Sequence, residues 1–176
     1  MKKQVKSGSN GYPIFKNLLN LTLSELLRNF GRDDVLSLTL FGSVARGEAR
    51  PESDIDIFIL YRGGEKDPVE KFTRMMIPIE EENLEYRRLR TRGIYAHISP
   101  VFMTREEVAE KPMILLDIID HGKVLYDPQG ELGRVMERMR YRLRKLGSKK
   151  IELPDGTWYW DLKPDWRPGE VIEVRL

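Results

Sequence analysis

Gly42-Ser43 and, after ten intervening residues, Asp54 and Asp56 have the types and spacing to do chemistry together. The run Val35-Leu36-Ser37-Leu38-Thr39-Leu40-Phe41 that precedes them is apolar and β-branched enough to read as a buried strand. It stops abruptly at Gly42-Ser43, and Val44 to Ser53 reads as a tight turn of helix followed by a loop. Free N–H groups at such a helix start point outward and the local dipole favours an anion, so phosphate is the natural guest. Gly42 lets a ligand approach the backbone, and the Ser43 hydroxyl can donate to a phosphate oxygen. Asp54 and Asp56 stand two apart at the entry of a second strand, Ile55 to Tyr61. Both carboxylates therefore project from one face, about 6.5–7 Å apart at the backbone. Ile55 and Ile57 point to the opposite face, into the core. Two carboxylates held this way repel unless a cation lies between them, and hard oxygen donors suit Mg²⁺. The intervening loop is long enough to fold back, so phosphate nest and carboxylate pair can share one corner of a sheet. Phosphate, Mg²⁺ and paired aspartates together describe nucleotide chemistry.

The stretch Gly42-Ser43-Val44-Ala45-Arg46-Gly47-Glu48-Ala49, with Ser53-Asp54-Ile55-Asp56-Ile57 behind it, closely resembles the minimal nucleotidyltransferases of the DNA polymerase beta superfamily. That signature is Gly-Ser, about ten residues, then Asp-hydrophobic-Asp-hydrophobic. The resemblance covers roughly residues 35 to 127 and is of an archaeal or thermophilic type. It implies an α/β (α+β) fold, a small mixed β-sheet flanked by helices. It further implies an NTP, ATP first, with its phosphates over Gly42 and Ser43 and within reach of Arg46. Two Mg²⁺ ions, with Mn²⁺ as an alternative, would sit on Asp54 and Asp56, the catalytic pair. A hydroxyl on protein, RNA or a small molecule would attack the α-phosphorus in line, and pyrophosphate would leave.

One departure stands out. Active members of the family add a third carboxylate on a later strand, as general base and metal ligand. The matching strand here, Ile94 to Met103, contains no Asp or Glu, and His97 and Ser99 occupy the alternation where that acid belongs. A histidine can serve as base near neutral pH and a serine cannot. Glu80, Glu81, Glu82 and Glu85 precede that strand, but nothing in the sequence places them. The departure opens a second reading: a catalytically impaired nucleotide-binding module, or an antitoxin-like interaction module paired with a separate helical protein. For Arg46, phosphate contact competes with a salt bridge to Glu48 or Glu52.

The elements that must hold this corner are readable around it. Helical spacing of Leu18, Leu19, Leu23, Leu26, Leu27 and Phe30 predicts a helix from Phe15 to Phe30, closed by Gly31. Val69 to Arg92 predicts a helix interrupted near Pro78. Ile94 to Met103 predicts a strand in which Pro100 marks an edge or bulge. Thr104-Arg105-Glu106-Glu107 has the capping-box pattern, Pro112 begins a further helix to His121, and Lys123 to Tyr126 predicts a short strand. His121, beside Gly122, is most simply a partner of that helix's C-terminal dipole. Gly130 to Leu146 predicts a basic helix with Leu132, Val135, Met136, Met139, Leu143 and Leu146 on one face. Asp155-Gly156 predicts a turn between two short extended runs, and the tail tryptophans Trp158, Trp160 and Trp166 can stack on bases but are expected to staple the terminus to the core. The expected organisation is a polar lead-in over 1–11, a core over 12–127, and a basic and aromatic extension over 128–176 packing on it.

Composition bounds the rest. The 176 residues are 40% hydrophobic, with a mean hydropathy of −0.47, which suits one soluble domain. Charged residues reach 33%, yet 30 basic and 28 acidic residues leave only +2, which argues against wholesale coating of nucleic acid. A local patch stays open: from Arg134 to Lys150 eight basic residues face the single acid Glu137, and Arg138, Arg142 and Lys145 can track an RNA backbone, although a solvated amphipathic face explains them as simply. The absence of cysteine excludes disulfides, thiolate nucleophiles and Cys-built metal sites, and two histidines exclude a His-rich one. No leader-like or membrane-length apolar run is present, so a cytoplasmic protein with no membrane partner is expected. Abundant Glu, Lys and Arg beside two Gln leans toward a thermophilic source.

Overall fold

A computed structural model describes residues 12–110, 112–155 and 157–172; the lead-in expected over 1–11 lies outside them. Helix α1 (Tyr12–Phe30) ends where Gly31, at φ 98°, donates its N–H to the Leu27 carbonyl at 3.2 Å. Strand β1 (Val35–Leu40) is buried along its whole length, because strands flank it on either side and a core covers each face. The order of the four-stranded sheet is β3-β2-β1-β4, with β2 (Ile55–Tyr61), β3 (Ile98–Met103) and β4 (Lys123–Tyr126). The β2–β3 pair is parallel and the other two are antiparallel, so the sheet is mixed and flanked by helices, the expected fold class.

Alternation along β2 decides which helices cover which face. Ile55, Ile57 and Ile59 join Phe15, Leu18, Leu26, Phe72 and Tyr86 in one core, under α1, α3 (Pro68–Glu82) and α4 (Leu84–Thr91). Phe58 and Leu60 join Val108, Leu115, Leu132 and Met139 in a second core, under α5 (Arg105–Glu110), α6 (Leu115–His121) and α7 (Glu131–Leu146). Asp56 stands two residues before Phe58 on β2, so it belongs to the face of α6 and α7. The capping box forms as read: Thr104 N–H donates to Glu107 Oε2 at 2.8 Å, and Glu107 N–H to Thr104 Oγ1 at 3.2 Å. Leu132, Met136, Met139 and Leu143 are the buried stripe of α7.

Several boundaries differ from the sequence reading, and α1 begins at Tyr12 rather than Phe15. Pro78 lies inside α3, and the helix breaks instead at Asn83, which turns extended (φ −73°, ψ 139°) and caps α4 by accepting Glu85 N–H at 2.9 Å. A capping asparagine offers the backbone an alternative to the helical bond, and here that local bond wins over the proline. Strand β3 starts at Ile98 rather than Ile94, because Ile94 N–H closes the turn after α4 on the Leu89 carbonyl at 3.0 Å and Tyr95 N–H goes to Pro51 at 3.1 Å. Residues Pro112–Ile114 form a 3-10 turn that leads into α6. Pro100 does lie on an edge strand.

After α7, β5 (Lys149–Glu152) and β6 (Trp158–Asp161) pair as an antiparallel hairpin; Gly156 of the expected turn lies outside the described residues. Trp160 packs against the second core, whereas Trp166 stays 48% exposed and donates its ring N–H to the Glu170 carbonyl at 2.8 Å. His121 pairs with Asp120 at 2.9 Å. Among the described residues no helix is long and apolar enough to cross a membrane.

Candidate nucleotide site

The corner where β1 leaves the sheet and β2 enters it is tied by one backbone bond, from Phe41 N–H to the Asp56 carbonyl at 3.0 Å. The next residue, Gly42, begins the short helix α2 (Gly42–Arg46) at φ 69°. A β-carbon at Gly42 would stand 2.1 Å from Asp56 Oδ2 and 2.9 Å from its Cγ. Two separate constraints therefore demand glycine: a left-handed backbone and a carboxylate lying directly on its α-carbon. No side chain caps the first turn of α2, and its last turn closes on Gly47 at φ 79°. Ser43 is half-buried, and its carbonyl accepts Glu48 N–H at 2.9 Å.

The loop folds back as its length allows. Arg50 N–H donates to Ser53 Oγ at 2.9 Å and Ser53 N–H returns to the Arg50 carbonyl at 3.0 Å, a tight reversal over Pro51 and Glu52 that feeds Asp54 into the sheet. Asp54 is exposed just before β2, and Asp56 is half-buried one step inside it. Burial pushes the Asp56 carboxyl above the ordinary aspartate range, the negative charges of Asp54 and Asp117 push the same way, and only Arg46 opposes them. The corner is thus short of positive charge at the point where its carboxylates converge.

Arg46 is committed to carboxylates: Nε donates to Glu48 Oε2 at 2.8 Å and Nη1 to Asp117 Oδ1 at 3.0 Å. Of its two readings the salt bridge is present, to Glu48 and not Glu52, and it straps α2 to α6. Asp117 is the residue that the sequence reading missed. Its signal was a lone acid among Leu115, Leu116, Ile118 and Ile119, since a half-buried carboxylate in an apolar helix needs a partner.

The parallel ladder sets Ser99 directly beside Asp56, and the His97 carbonyl accepts Ile55 N–H at 2.8 Å. The position next to the aspartate pair therefore carries a hydroxyl in place of an acid. The His97 ring turns toward α3, 63% exposed, with Nδ1 3.6 Å from Glu80 Oε1. With Glu80 and Ser99 it lines a cleft of 280 Å³ between α3 and β3. Glu80 is the member of the glutamate set that reaches His97; Glu85 instead accepts Asn17 at 3.3 Å and pairs with Arg88. Among the described residues no group of three or more acids and histidines converges as a metal cage.

A family model described as the nucleotidyltransferase domain matches residues 20–124, well over half of the chain and the whole of the corner. A candidate protein adenylyltransferase from Methanocaldococcus jannaschii is 25% identical over 161 residues, covering 90% of this chain and 97% of that protein. A solved candidate nucleotidyltransferase from Sulfolobus solfataricus is similar at 18% identity with a TM-score of 0.38, over 72% of this chain and 95% of that one. With residues 20–124 matched, including β1, α2, the loop and β2, the chain belongs to the nucleotidyltransferase domain family.

Proposed function

We propose that this chain is a Mg²⁺-dependent nucleotidyltransferase that moves AMP from ATP to a hydroxyl acceptor, with a protein hydroxyl first among acceptors. The observation that carries the reading is the Asp56 carboxylate resting on the α-carbon of Gly42. It joins the residue that opens the backbone to phosphate and the residue that would hold metal into one unit. Gly42 and Ser43 bind the triphosphate through the uncapped first turn of α2 and the Ser43 hydroxyl. Asp54 and Asp56 are hard oxygen donors; burial first, and then the charges of Asp54 and Asp117, hold the Asp56 carboxyl above its ordinary range, and a divalent cation would relieve that. Mg²⁺ takes one or two carboxylates, substrate phosphates and several waters, so the donor set fits without a protein cage. When bound, the metal would lower the acceptor hydroxyl's pKa and neutralise charge on the phosphoryl group. Two ions are proposed, with Mn²⁺ as an alternative. Arg46, held by Glu48 and Asp117, fixes α2 against α6 and keeps the phosphate-binding turn over Asp56. A protein acceptor is supported by what the Methanocaldococcus relative is named for.

Ser99 beside Asp56 favours one other reading, a module that binds nucleotide and does not turn it over, working as the partner of a separate helical protein. Calorimetric titration of ATP with and without Mg²⁺ separates these cases when combined with transfer of label from α-labelled ATP. Wild type is expected to bind ATP only with Mg²⁺ and to transfer label. Asp54→Asn/Asp56→Asn is expected to lose both, binding falling by at least about 100-fold. Metal-dependent binding without transfer to any hydroxyl, protein included, would establish the second reading. Undiminished transfer by the double variant would remove the carboxylate pair from the mechanism.

A further inference from the structure

The outer face of α7 carries a second charged feature, of opposite sign and remote in character from the aspartate corner. From Glu131 to Lys150 there are eight basic and two acidic residues, a net of +6, whereas the whole chain sums to +2 and the remaining residues therefore to −4. Four of those eight basic residues stand in one row on α7. Arg134, Arg138, Tyr141, Arg142 and Lys145 follow helical spacing opposite the buried stripe of Leu132, Met136, Met139 and Leu143, and all five are exposed. At 1.5 Å per residue the row from Arg134 to Lys145 extends about 16 Å.

Two observations separate this row from an ordinary solvated face. Several arginines outside α7 are matched with acids, among them Arg46 with Glu48 and Asp117, Arg74 with Glu70, and Arg105 bidentate with Glu131 at 2.6 Å. On α7, Arg138 and Arg142 have no partner among the described residues, and the Lys145 ammonium lies 5.6 Å from the centroid of the Tyr141 ring. Three arginines at successive i,i+4 positions repel one another; Glu131 offsets Arg134 at one end, and the exposed Glu137, beside Arg134, Arg138 and Tyr141, pairs with neither arginine. Second, the row offers one large exposed ring and no aliphatic side chain: Tyr141, 53% exposed, is the exposed large hydrophobic residue of α7. A protein interface needs apolar anchors at its centre and is depleted of charge there. An evenly spaced row of cations around one aromatic face suits a repeating phosphate backbone with a base to stack.

We infer that the outer face of α7 binds single-stranded nucleic acid, RNA foremost, with Arg138, Arg142 and Lys145 on successive phosphates and a base on Tyr141. Arg134, whose Nη1 donates to the Gln129 carbonyl at 2.8 Å, stands at the N-terminal end of the track, next to the cleft that Arg105, Arg134 and Arg138 line with Glu131. This surface is independent of the nucleotidyltransferase reading and stands or falls separately.

Fluorescence anisotropy tests it with a short labelled single-stranded RNA of mixed sequence, DNA of the same sequence, and polyglutamate as competitor, in buffer without Mg²⁺ or nucleotide. Wild type is expected to bind RNA with an affinity that falls from about 50 to about 200 mM salt, with a logarithmic slope near −2 for three neutralised phosphates. Arg138→Ala/Arg142→Ala/Lys145→Ala should weaken binding at least about tenfold and flatten that slope. Tyr141→Ala should weaken it about fivefold or more at an unchanged slope, because stacking releases no counterions. Asp54→Asn/Asp56→Asn should bind RNA as wild type does, which keeps failure of this surface distinct from failure of the active site. Tighter RNA than DNA binding assigns the 2′-hydroxyl a role, and equal binding assigns the surface to single strands in general. Displacement of RNA by polyglutamate at equal charge concentration, or full affinity in the triple variant, would overturn the inference.

Discussion

The β1–β2 corner and the outer face of α7 each crowd charges of one sign, yet they are built in opposite ways. In the corner the backbone places the charge: the Asp56 carbonyl is bonded to Phe41, its carboxylate rests on Gly42, and Ile55 and Ile57 on either side are fully buried. The Asp56 backbone cannot shift without breaking the β1–β2 pairing at the centre of the sheet. On α7 the backbone places only the Leu and Met stripe, and the cations sit on long side chains in water, where solvent and salt screen them. A preorganised charge is expensive when its ligand is absent and effective when the ligand arrives. A solvated charge costs little and gives affinity that depends on salt. Substitutions in the corner should therefore change folding and binding together, whereas substitutions on α7 should change binding alone.

The largest expected effect tests the tightest contact. Gly42→Ala meets a left-handed backbone, worth about 1–2 kcal/mol by itself, and a carboxylate oxygen 2.1 Å from the new carbon. Its melting temperature should drop by about 4 °C or more, and Mg²⁺-dependent ATP binding should disappear. Adding Asp56→Gly removes the clash and leaves the backbone strain, so melting should recover in part while binding stays lost. Calorimetric melting of the three proteins decides it, and a single variant that melts with wild type would break the comparison at its strongest point.

Next comes the carboxylate itself. Because burial, Asp54 and Asp117 hold the Asp56 carboxyl above its ordinary range, the folded state binds that proton more tightly than the unfolded chain does. The associated stability is present below the ordinary aspartate range and is lost as pH rises through the raised value. Metal-free wild type should thus lose stability relative to Asp56→Asn as pH climbs through and beyond the carboxylate range. At neutral pH without metal the asparagine variant should melt higher although it binds no nucleotide. Saturating Mg²⁺ and ATP should reverse the order. Parallel pH profiles for the two proteins would mean that the corner stores no repulsion.

How much of this was legible in the residues depends on how local each cause is. The approach of Asp56 to Gly42, the alternation of β2 and the Thr104–Glu107 capping box are each decided over a short stretch of chain, and the structure shows all three. The helix break was misplaced because a proline is a louder signal than an asparagine cap, although Asn83 supplies the bond that decides. Asp117 could be noticed only as an acid out of place, since its approach to Arg46 depends on α6 packing against α2 across 71 positions of sequence. The orientation of His97 was equally hidden: alternation predicts a face, but it lies just ahead of β3, where the ladder no longer governs the side chain and Glu80 draws the ring aside. The tryptophans divide for a similar reason. Trp160 is held in the hairpin over the second core, and Trp166 has only the short turn to Glu170.

The smallest expected effect is the sharpest test of the contrast, because its sign is unusual. Arg138→Ala/Arg142→Ala/Lys145→Ala removes three exposed cations that touch no acid. Truncating exposed side chains ordinarily shifts stability by no more than about 0.5 kcal/mol. Here two terms favour the variant: alanine has the higher helix propensity, and relief of like-charge i,i+4 repulsion between Arg134, Arg138 and Arg142 is worth about 0.2–0.5 kcal/mol per pair. One term opposes it, the lost attraction of Lys145 for the C-terminal carbonyls of α7, which Gly147 closes by donating to the Arg144 carbonyl at 3.2 Å. The net is a melting temperature equal to or slightly above wild type at low salt. Added salt should raise wild type more than the variant, since only wild type has repulsion left to screen. A clear loss of stability would mean that these side chains hold α7 in place, and the outer face would then resemble the corner after all.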